Sequence, residues 1–156
     1  MARIAEREEV IMAFEGNTLI DWPAFSQARS ELGGGFARIL GYFREDGIKS
    51  VAAIEAAMRC GNAAAMVIPA HTLKGEARQL GAEPLADRAE AIEAIARHCV
   101  EMQDAPDEAL AHIVRLKPLF EETLTLLERE ATPVIARKPP VSGFGRRSVP
   151  TGFGED

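Results

Sequence analysis

The segment that decides the fold is Pro69–Ala82, "PAHTLKGEARQLGA". Apolar residues recur there every three or four positions, which is the spacing of one face of an α-helix. Together with the preceding turn, this apolar stripe comprises Met66, Ala70, Leu73, Ala77 and Leu80. Glycine costs a helix interior roughly 1 kcal/mol relative to alanine, yet Gly75 directly follows Lys74. Either this glycine is accidental or something must come close to the helix backbone.

The composition of the chain favours a helical domain and argues against several functions. Of 156 residues, 47% are apolar and only 6% aromatic, which suits helices packed through small side chains. A formal charge of −6 makes nonspecific nucleic-acid binding a poor hypothesis. No apolar run approaches the ~20 residues of a membrane helix, and the opening "MARIAEREEVIMAF" is too charged for a secretory signal. We therefore expect a cytoplasmic protein that does not enter membranes.

Helical periodicity runs through most of the chain, and no stretch alternates as a strand would. Four substantial helices joined by short turns predict an all-α, antiparallel up-down four-helix bundle over residues 18–131. Residues 1–17 read as a short N-terminal helical extension. Residues 132–156 are rich in Pro, Gly and Ser and predict a flexible tail, either a plain extension or a docking motif built on the repeated "GFG".

Several single residues predict where helices begin or bend. Three side chains suited to capping an N-terminus precede helical patterns, namely Asp21, Asn62 and Asp104. Three residues inside the patterns are expected to bend or interrupt helices, namely Gly47, Pro69 and Pro118. The two cysteines, Cys60 and Cys99, lack metal-type spacing and are expected to be buried thiols.

A second stripe of the helix containing Pro69–Ala82 lies about 140° from its apolar stripe. It holds His71, Lys74, Gly75 and Arg78. An exposed imidazole flanked by cations, with a side chain missing from the same ridge, could receive an anion such as a phosphoryl group. A plain solvated helix face explains the same spacing equally well.

An imidazole used as a nucleophile also needs an acceptor that fixes its second nitrogen. The next helix packs through a stripe formed by Leu85, Ala89, Ile92, Ala96 and Cys99. Glu93 lies at the margin of that stripe, about 60° from its centre, where an antiparallel neighbour could bring it beside His71. Glu90 sits further round the helix. Glu93 could equally be a surface carboxylate, or a partner for Arg88, Arg97 or Lys74.

The segment "HTLKGEARQLGA" resembles the signature of histidine phosphotransfer (HPt) domains. The family pattern is His, any residue, a hydrophobic residue, Lys and Gly, then usually two small residues and a later hydrophobic–Gly pair. The matching positions here are His71, Thr72, Leu73, Lys74, Gly75, Ala77, Leu80 and Gly81. The surrounding helices agree with the resemblance over residues 18–130. Glu76 departs from it, since a small residue is usual there, and so does Pro69.

The resemblance implies a role for each matching residue. His71 would be the phosphorylated histidine, Lys74 would hold the phosphoryl oxygens, and Glu93 would bond the second ring nitrogen. Partner binding would use a surface around His71, to which we assign Gly75, Arg78, Glu76, Val67, Ile68 and Phe25. Glu76 could repel an incoming phosphate or select a particular receiver.

The resemblance also implies partners: response-regulator receiver domains, including that of a hybrid histidine kinase. We expect no cofactor on this chain, because the Mg²⁺ would belong to the receiver. We also expect a monomer, and no autophosphorylation because no Gly-rich nucleotide loop is found.

Three other interpretations remain. The chain could be a helical adaptor that binds a receiver without transferring phosphate. It could be the dimerising hairpin of a histidine kinase, although an acidic residue usually follows the histidine there and Thr72 follows here. A metal site built from the histidines and cysteines is disfavoured, because His71, His98 and His112 have no i, i+4 spacing.

Overall fold

Five α-helices make up residues 19–131, the part of the chain that the structure, a computed structural model, describes. In chain order they are α1 (Trp22–Leu32), α2 (Phe36–Arg59), α3 (Ala64–Gln79), α4 (Glu83–Met102) and α5 (Leu110–Ala131). Short 3₁₀ turns at Gly33–Gly35 and Asp107–Ala109 precede α2 and α5. The predicted all-α fold is confirmed. The predictions for residues 1–17 and 132–156 lie outside the described residues.

Helices α2 to α5 form a closed four-helix bundle. Within the bundle, α2 packs on α3, α3 on α4 and α4 on α5, and α5 packs back on α2. Short connections between long helices produce antiparallel neighbours, so the bundle runs up and down as predicted. The most extensive interface joins α3 to α4. Its centre is lined by small side chains without solvent exposure, namely Ala70, Ala77, Ala89 and Ala96, which lets these two helices approach closely.

The segment before α1 is fastened to the turn between α3 and α4. The amide of Asp21 donates to the carbonyl of Gly81 over 2.7 Å. Gly81 has a φ of +82°, and a Cβ there would lie 2.8 Å from the carbonyl oxygen of Asp21. Only glycine tolerates both conditions without strain. The hydrophobic–Gly pair of the signature therefore has a structural role in this chain.

Two of the three predicted helix starts are confirmed. The Asp21 carboxylate accepts the amide of Ala24, and the Asn62 side chain accepts the amide of Ala65, each over 3.1 Å. The prediction for Asp104 is wrong, because α5 begins only at Leu110, after the 3₁₀ turn. Asp104 instead donates its own amide to the carbonyl of Cys99 at the end of α4.

The expected interruptions do not divide the helices. Pro69 lies inside α3 and Pro118 inside α5, and both helices continue past them. Gly47 lies within continuous α2, where it is buried against the ring of Phe120. Its missing side chain lets α5 pack closely and does not mark a break.

Phe25 is a correction to the predicted partner-binding surface. Its side chain is 2% exposed and packs edge-on against Trp22 and Phe36, with ring centroids 5.2 and 5.3 Å apart. The Phe36 ring on α2 covers the Phe25 side chain, and the Asp21–Gly81 hydrogen bond joins the segment before α1 to the bundle. Phe25 therefore belongs to the core.

One of the two cysteines is buried and the other is exposed. Cys99 is buried, and its thiol lies 3.5 Å from the carbonyl of Ala105. Cys60 is exposed, so the prediction of a buried thiol is wrong there, because the position follows the end of α2. None of the helices within residues 19–131 is long and apolar enough to cross a membrane.

The close packing at Gly47 generates a stability prediction. A Cβ at this position would collide with the Phe120 ring, so Gly47→Ala should destabilise the protein by about 1–3 kcal/mol through overpacking. Gly41→Ala is the matched control, since Gly41 lies in the same helix with nothing near its Cβ position. It should stabilise by about 0.5–1 kcal/mol. Urea denaturation measures both; equal stabilisation by the two substitutions would contradict the packing.

Candidate functional site

His71 lies on the edge of α3 that borders α4. Its neighbours Ala70 and Leu73 are fully buried, and they set the rotation of the helix about its axis. The His71 side chain is 59% exposed, whereas the lysine one turn later, Lys74, is 22% exposed. The apolar stripe predicted from the sequence thus presents the imidazole to solvent.

The buried carboxylate of Glu93, on α4, is the centre of the site. Its side chain is 7% exposed. One oxygen, Oε2, lies 3.0 Å from His71 Nδ1 and accepts Nε and Nη2 of Arg97 over 3.0 and 2.8 Å. The other oxygen, Oε1, lies 2.9 Å from Lys74 Nζ. That contact is an ion pair without the geometry of a hydrogen bond.

The electrostatics of the site keep Glu93 ionised. Burial raises the pKa of Glu93, but the contacts with Lys74, Arg97 and His71 outweigh burial and lower it to about 2. An ionised carboxylate can only accept a hydrogen bond. Nδ1 of His71 therefore carries a proton, and in the neutral imidazole Nε2 then keeps its lone pair.

The arrangement is that of a positioned nucleophile. The bond from Nδ1 to Glu93 restrains the ring and selects its tautomer, while Lys74 places a positive charge within one helical turn. Gly75 is exposed on the same ridge, and a Cβ there would meet no atom within 4 Å. The missing side chain therefore serves no packing purpose within the described residues.

Arg78 differs from the free cation that the sequence suggests. Its guanidinium contacts three carboxylates, those of Glu83, Asp87 and Glu90, over 3.3, 3.0 and 2.9 Å. Its charge is thus compensated by the start of α4. Glu90, which lies further round α4 than Glu93, contacts Arg78.

Glu76 lies on the opposite flank of α3 from Glu93. It faces α2, where it lines one cavity with Asp46. Burial and the neighbouring Asp46 carboxyl raise the pKa of Glu76 to about 7. The expectation that Glu76 faces an incoming phosphate is wrong, because five residues after His71 correspond to roughly 140° of helical rotation.

Apolar side chains border His71 on the side toward the start of α3. Ile68 is 69% exposed and Val67 is half-buried. Across a shallow cleft on α4, Val100 is 43% exposed. The residues that line this cleft are Ala64, Val67, Arg97, Val100 and Glu101.

Two residues of this region were not predicted as site residues. Arg97 entered only as a rival partner for Glu93, although its i, i+4 spacing on α4 signalled the contact. Asp46 carried no signal, because it lies on a different helix from Glu76 and pairs with it only in the folded bundle.

Comparison with known proteins agrees with the fold. The family model of the Hpt domain matches residues 38–130. The chain belongs to the Hpt domain family. The crystal structure of histidine-containing phosphotransfer protein B (HptB) from Pseudomonas aeruginosa PAO1 superposes with a TM-score of 0.65 at 24% identity, covering 74% of this chain and 96% of that one. This likeness shows a shared fold. A search of curated proteins found no match.

The region that matches the family model includes the residues of the site. The matched residues contain His71, Lys74, Gly75 and Glu93. The protein is a histidine phosphotransfer protein of the kind used in phosphorelays.

The Asp46–Glu76 pair generates a pH prediction. Because the pKa of Glu76 is raised in the folded state, its protonated form stabilises the fold at low pH, and this contribution is lost as pH rises from about 4.5 to about 7. Glu76→Gln, which stays uncharged beside Asp46, should remove this dependence and exceed the wild type in stability at pH 8. Urea denaturation of both proteins at pH 5.5 and pH 8 measures the difference in their free energies of unfolding. A wild-type protein as stable at pH 8 as the Glu76→Gln variant would rule out the raised pKa of Glu76.

Proposed function

We propose that His71 accepts a phosphoryl group from the aspartyl phosphate of one receiver domain and passes it to a second receiver. The observation that carries this proposal is the bond from His71 Nδ1 to buried Glu93. In the neutral ring, that bond leaves Nε2 unprotonated, which is the state that a nucleophile requires.

The transfer is an in-line displacement at phosphorus. The lone pair of His71 Nε2 forms the N–P bond, while the P–O bond breaks and its electrons stay on the aspartate carboxylate of the receiver. The Nδ1 proton remains against Glu93, which balances the positive charge that the ring acquires. Lys74 attracts the phosphoryl oxygens. Transfer to the second receiver reverses these steps, and the Mg²⁺ is supplied by the receiver.

Receiver binding uses the surface around His71. Gly75 offers bare backbone beside the imidazole, and Ile68, Val67 and Val100 supply apolar contacts. Arg78 lies at the rim with its charge compensated. The protein acts in this proposal as a cytoplasmic monomer, in which one protein face serves donor and acceptor in turn.

Substitutions at the site test the transfer directly. After incubation with a receiver bearing radiolabelled aspartyl phosphate, the wild type should carry acid-labile label and His71→Gln should carry none. Lys74→Met should slow single-turnover transfer about 10–100-fold, because the phosphoryl oxygens lose their cation. His98→Ala is the matched control, since His98 is an exposed histidine of α4 and should transfer normally.

Failure of this test would favour the adaptor alternative. If the wild type and the His71→Gln variant bind receivers with equal affinity and neither takes label from any of them, the protein is a non-transferring adaptor. Label that persists in His71→Gln would place the acceptor elsewhere. Glu76 does not support this alternative, since it faces α2 and not the receiver-binding surface.

Substitution of Gly75 tests whether this glycine serves receiver binding or the stability of the fold. A Cβ at position 75 meets no atom within 4 Å, so Gly75→Leu should keep or raise stability by up to about 1 kcal/mol. It should weaken receiver binding about tenfold or more by blocking close approach. Gly41→Leu, on the exposed face of α2, should leave binding unchanged. Calorimetric titration with the receiver provides both affinities, and undiminished binding by Gly75→Leu would contradict the assignment.

A further inference from the structure

Glu93 has more partners than imidazole orientation requires. A single acceptor would hold the Nδ1 proton, yet this carboxylate meets His71, Lys74 and Arg97 at once. The contacts are divided between its oxygens. His71 and Arg97 share Oε2, whereas Oε1 meets Lys74 and no other ionic partner among residues 19–131.

This division matters because Lys74 has a second task in the proposed function. Its ammonium is to attract the phosphoryl oxygens, which lie above the ring on the side of Nε2. To do so it must loosen its ion pair with Oε1. A buried carboxylate that loses a partner becomes costly in free energy unless another cation remains. Glu93 would otherwise take up the Nδ1 proton of His71 or hold Lys74 back.

We infer that Arg97 is a positioning residue that keeps Glu93 charged and in place while Lys74 moves to the phosphoryl group. This inference rests on the proposed function. Two nitrogens of one guanidinium meet Oε2, over 3.0 and 2.8 Å, and arginine does not lose its proton in proteins. Oε2 of Glu93 therefore keeps its contact with Arg97 throughout, whereas the contact of Oε1 with Lys74 can be given up.

The location of Arg97 suits this role. It lies one turn after Glu93 on the same helix, so their contact does not depend on α3, where His71 and Lys74 reside. An ordinary exposed i, i+4 pair contributes little, but here one partner is 7% exposed. Arg97 also lines the cleft with Val67 and Val100. A receiver that covers this cleft would exclude water and strengthen the pair.

The charge balance of the transfer shows what Arg97 contributes. When Nε2 forms the N–P bond, the ring keeps its Nδ1 proton and becomes formally cationic, while the P–O electrons leave with the receiver carboxylate. Glu93 must then be an anion to balance the ring. Lys74 balances the phosphoryl oxygens, and Arg97 remains with Glu93.

The test compares Arg97→Gln and Arg97→Lys with Arg44→Gln. Arg44 is an exposed arginine in a 2.9 Å ion pair with Glu128, on α2 and α5, so it is a control for the loss of a surface charge. Two quantities are measured: the titration midpoint of the Glu93 side-chain carboxyl by ¹³C NMR, and single-turnover transfer from a phosphorylated receiver over a range of receiver concentrations. Denaturation checks that each variant folds.

Arg97→Gln should raise the Glu93 midpoint by about one pH unit and slow the saturated transfer rate about tenfold, with receiver affinity changed less. Arg97→Lys should restore most of the wild-type midpoint and transfer rate, because it retains the charge. Arg44→Gln should match the wild type in both. Unchanged midpoint and rate in Arg97→Gln would overturn the inference. A loss confined to receiver affinity would overturn it too, in favour of a docking contact.

Failure of the underlying function is distinguishable. A wild type that accepts no label would overturn the transfer proposal, and with it the role of Arg97 in transfer, whatever the Glu93 titration shows. A wild type that accepts label at a rate insensitive to substitution of Arg97 would overturn the inference alone.

Discussion

The structure depends on one constraint, that the buried carboxylate of Glu93 must be compensated. An ionised carboxylate 7% exposed is unfavourable without partners, and three side chains meet this need. Lys74 and His71 approach from α3, and Arg97 from α4 itself. The same contacts that satisfy the charge also fix the tautomer of His71. The same contacts of Glu93 therefore stabilise the α3–α4 pair and prepare His71 as a nucleophile.

The two flanks of α3 are electrostatically opposite. Toward α4, a carboxylate surrounded by cations has its pKa lowered to about 2. Toward α2, two carboxyls meet each other, and the pKa of Glu76 rises to about 7. The small side chains between them are fully buried, so α3 is held rigidly enough for each flank to keep its own partners. Chemistry is thereby confined to one edge of the helix, and Gly75 leaves that edge open.

Much of this could be predicted from sequence because it follows from helical spacing. The stripe of Met66, Ala70, Leu73 and Ala77 is fully buried, and its position alone exposes His71. Contacts between helices were less predictable. From the sequence, Glu93 could pair with His71 or with one of several cations, since its partner depends on how α3 and α4 face each other. The Asp46–Glu76 pair depends on α2 packing against α3, and the burial of Phe25 depends on α1 packing against α2; no local pattern encodes either contact. Gly47 was misinterpreted for the same reason, because Phe120 lies on α5.

The central claim is that Glu93 holds the proton of His71 on Nδ1 so that Nε2 is the atom that carries phosphate. Long-range ¹H–¹⁵N spectra of protein labelled with ¹⁵N-histidine identify which ring nitrogen bears the proton, before and after phosphorylation. The account predicts an Nδ1–H ring in the free protein and a phosphoryl group on Nε2 after transfer. A proton found on Nε2 in the free protein, or a phosphoryl group found on Nδ1, would contradict it.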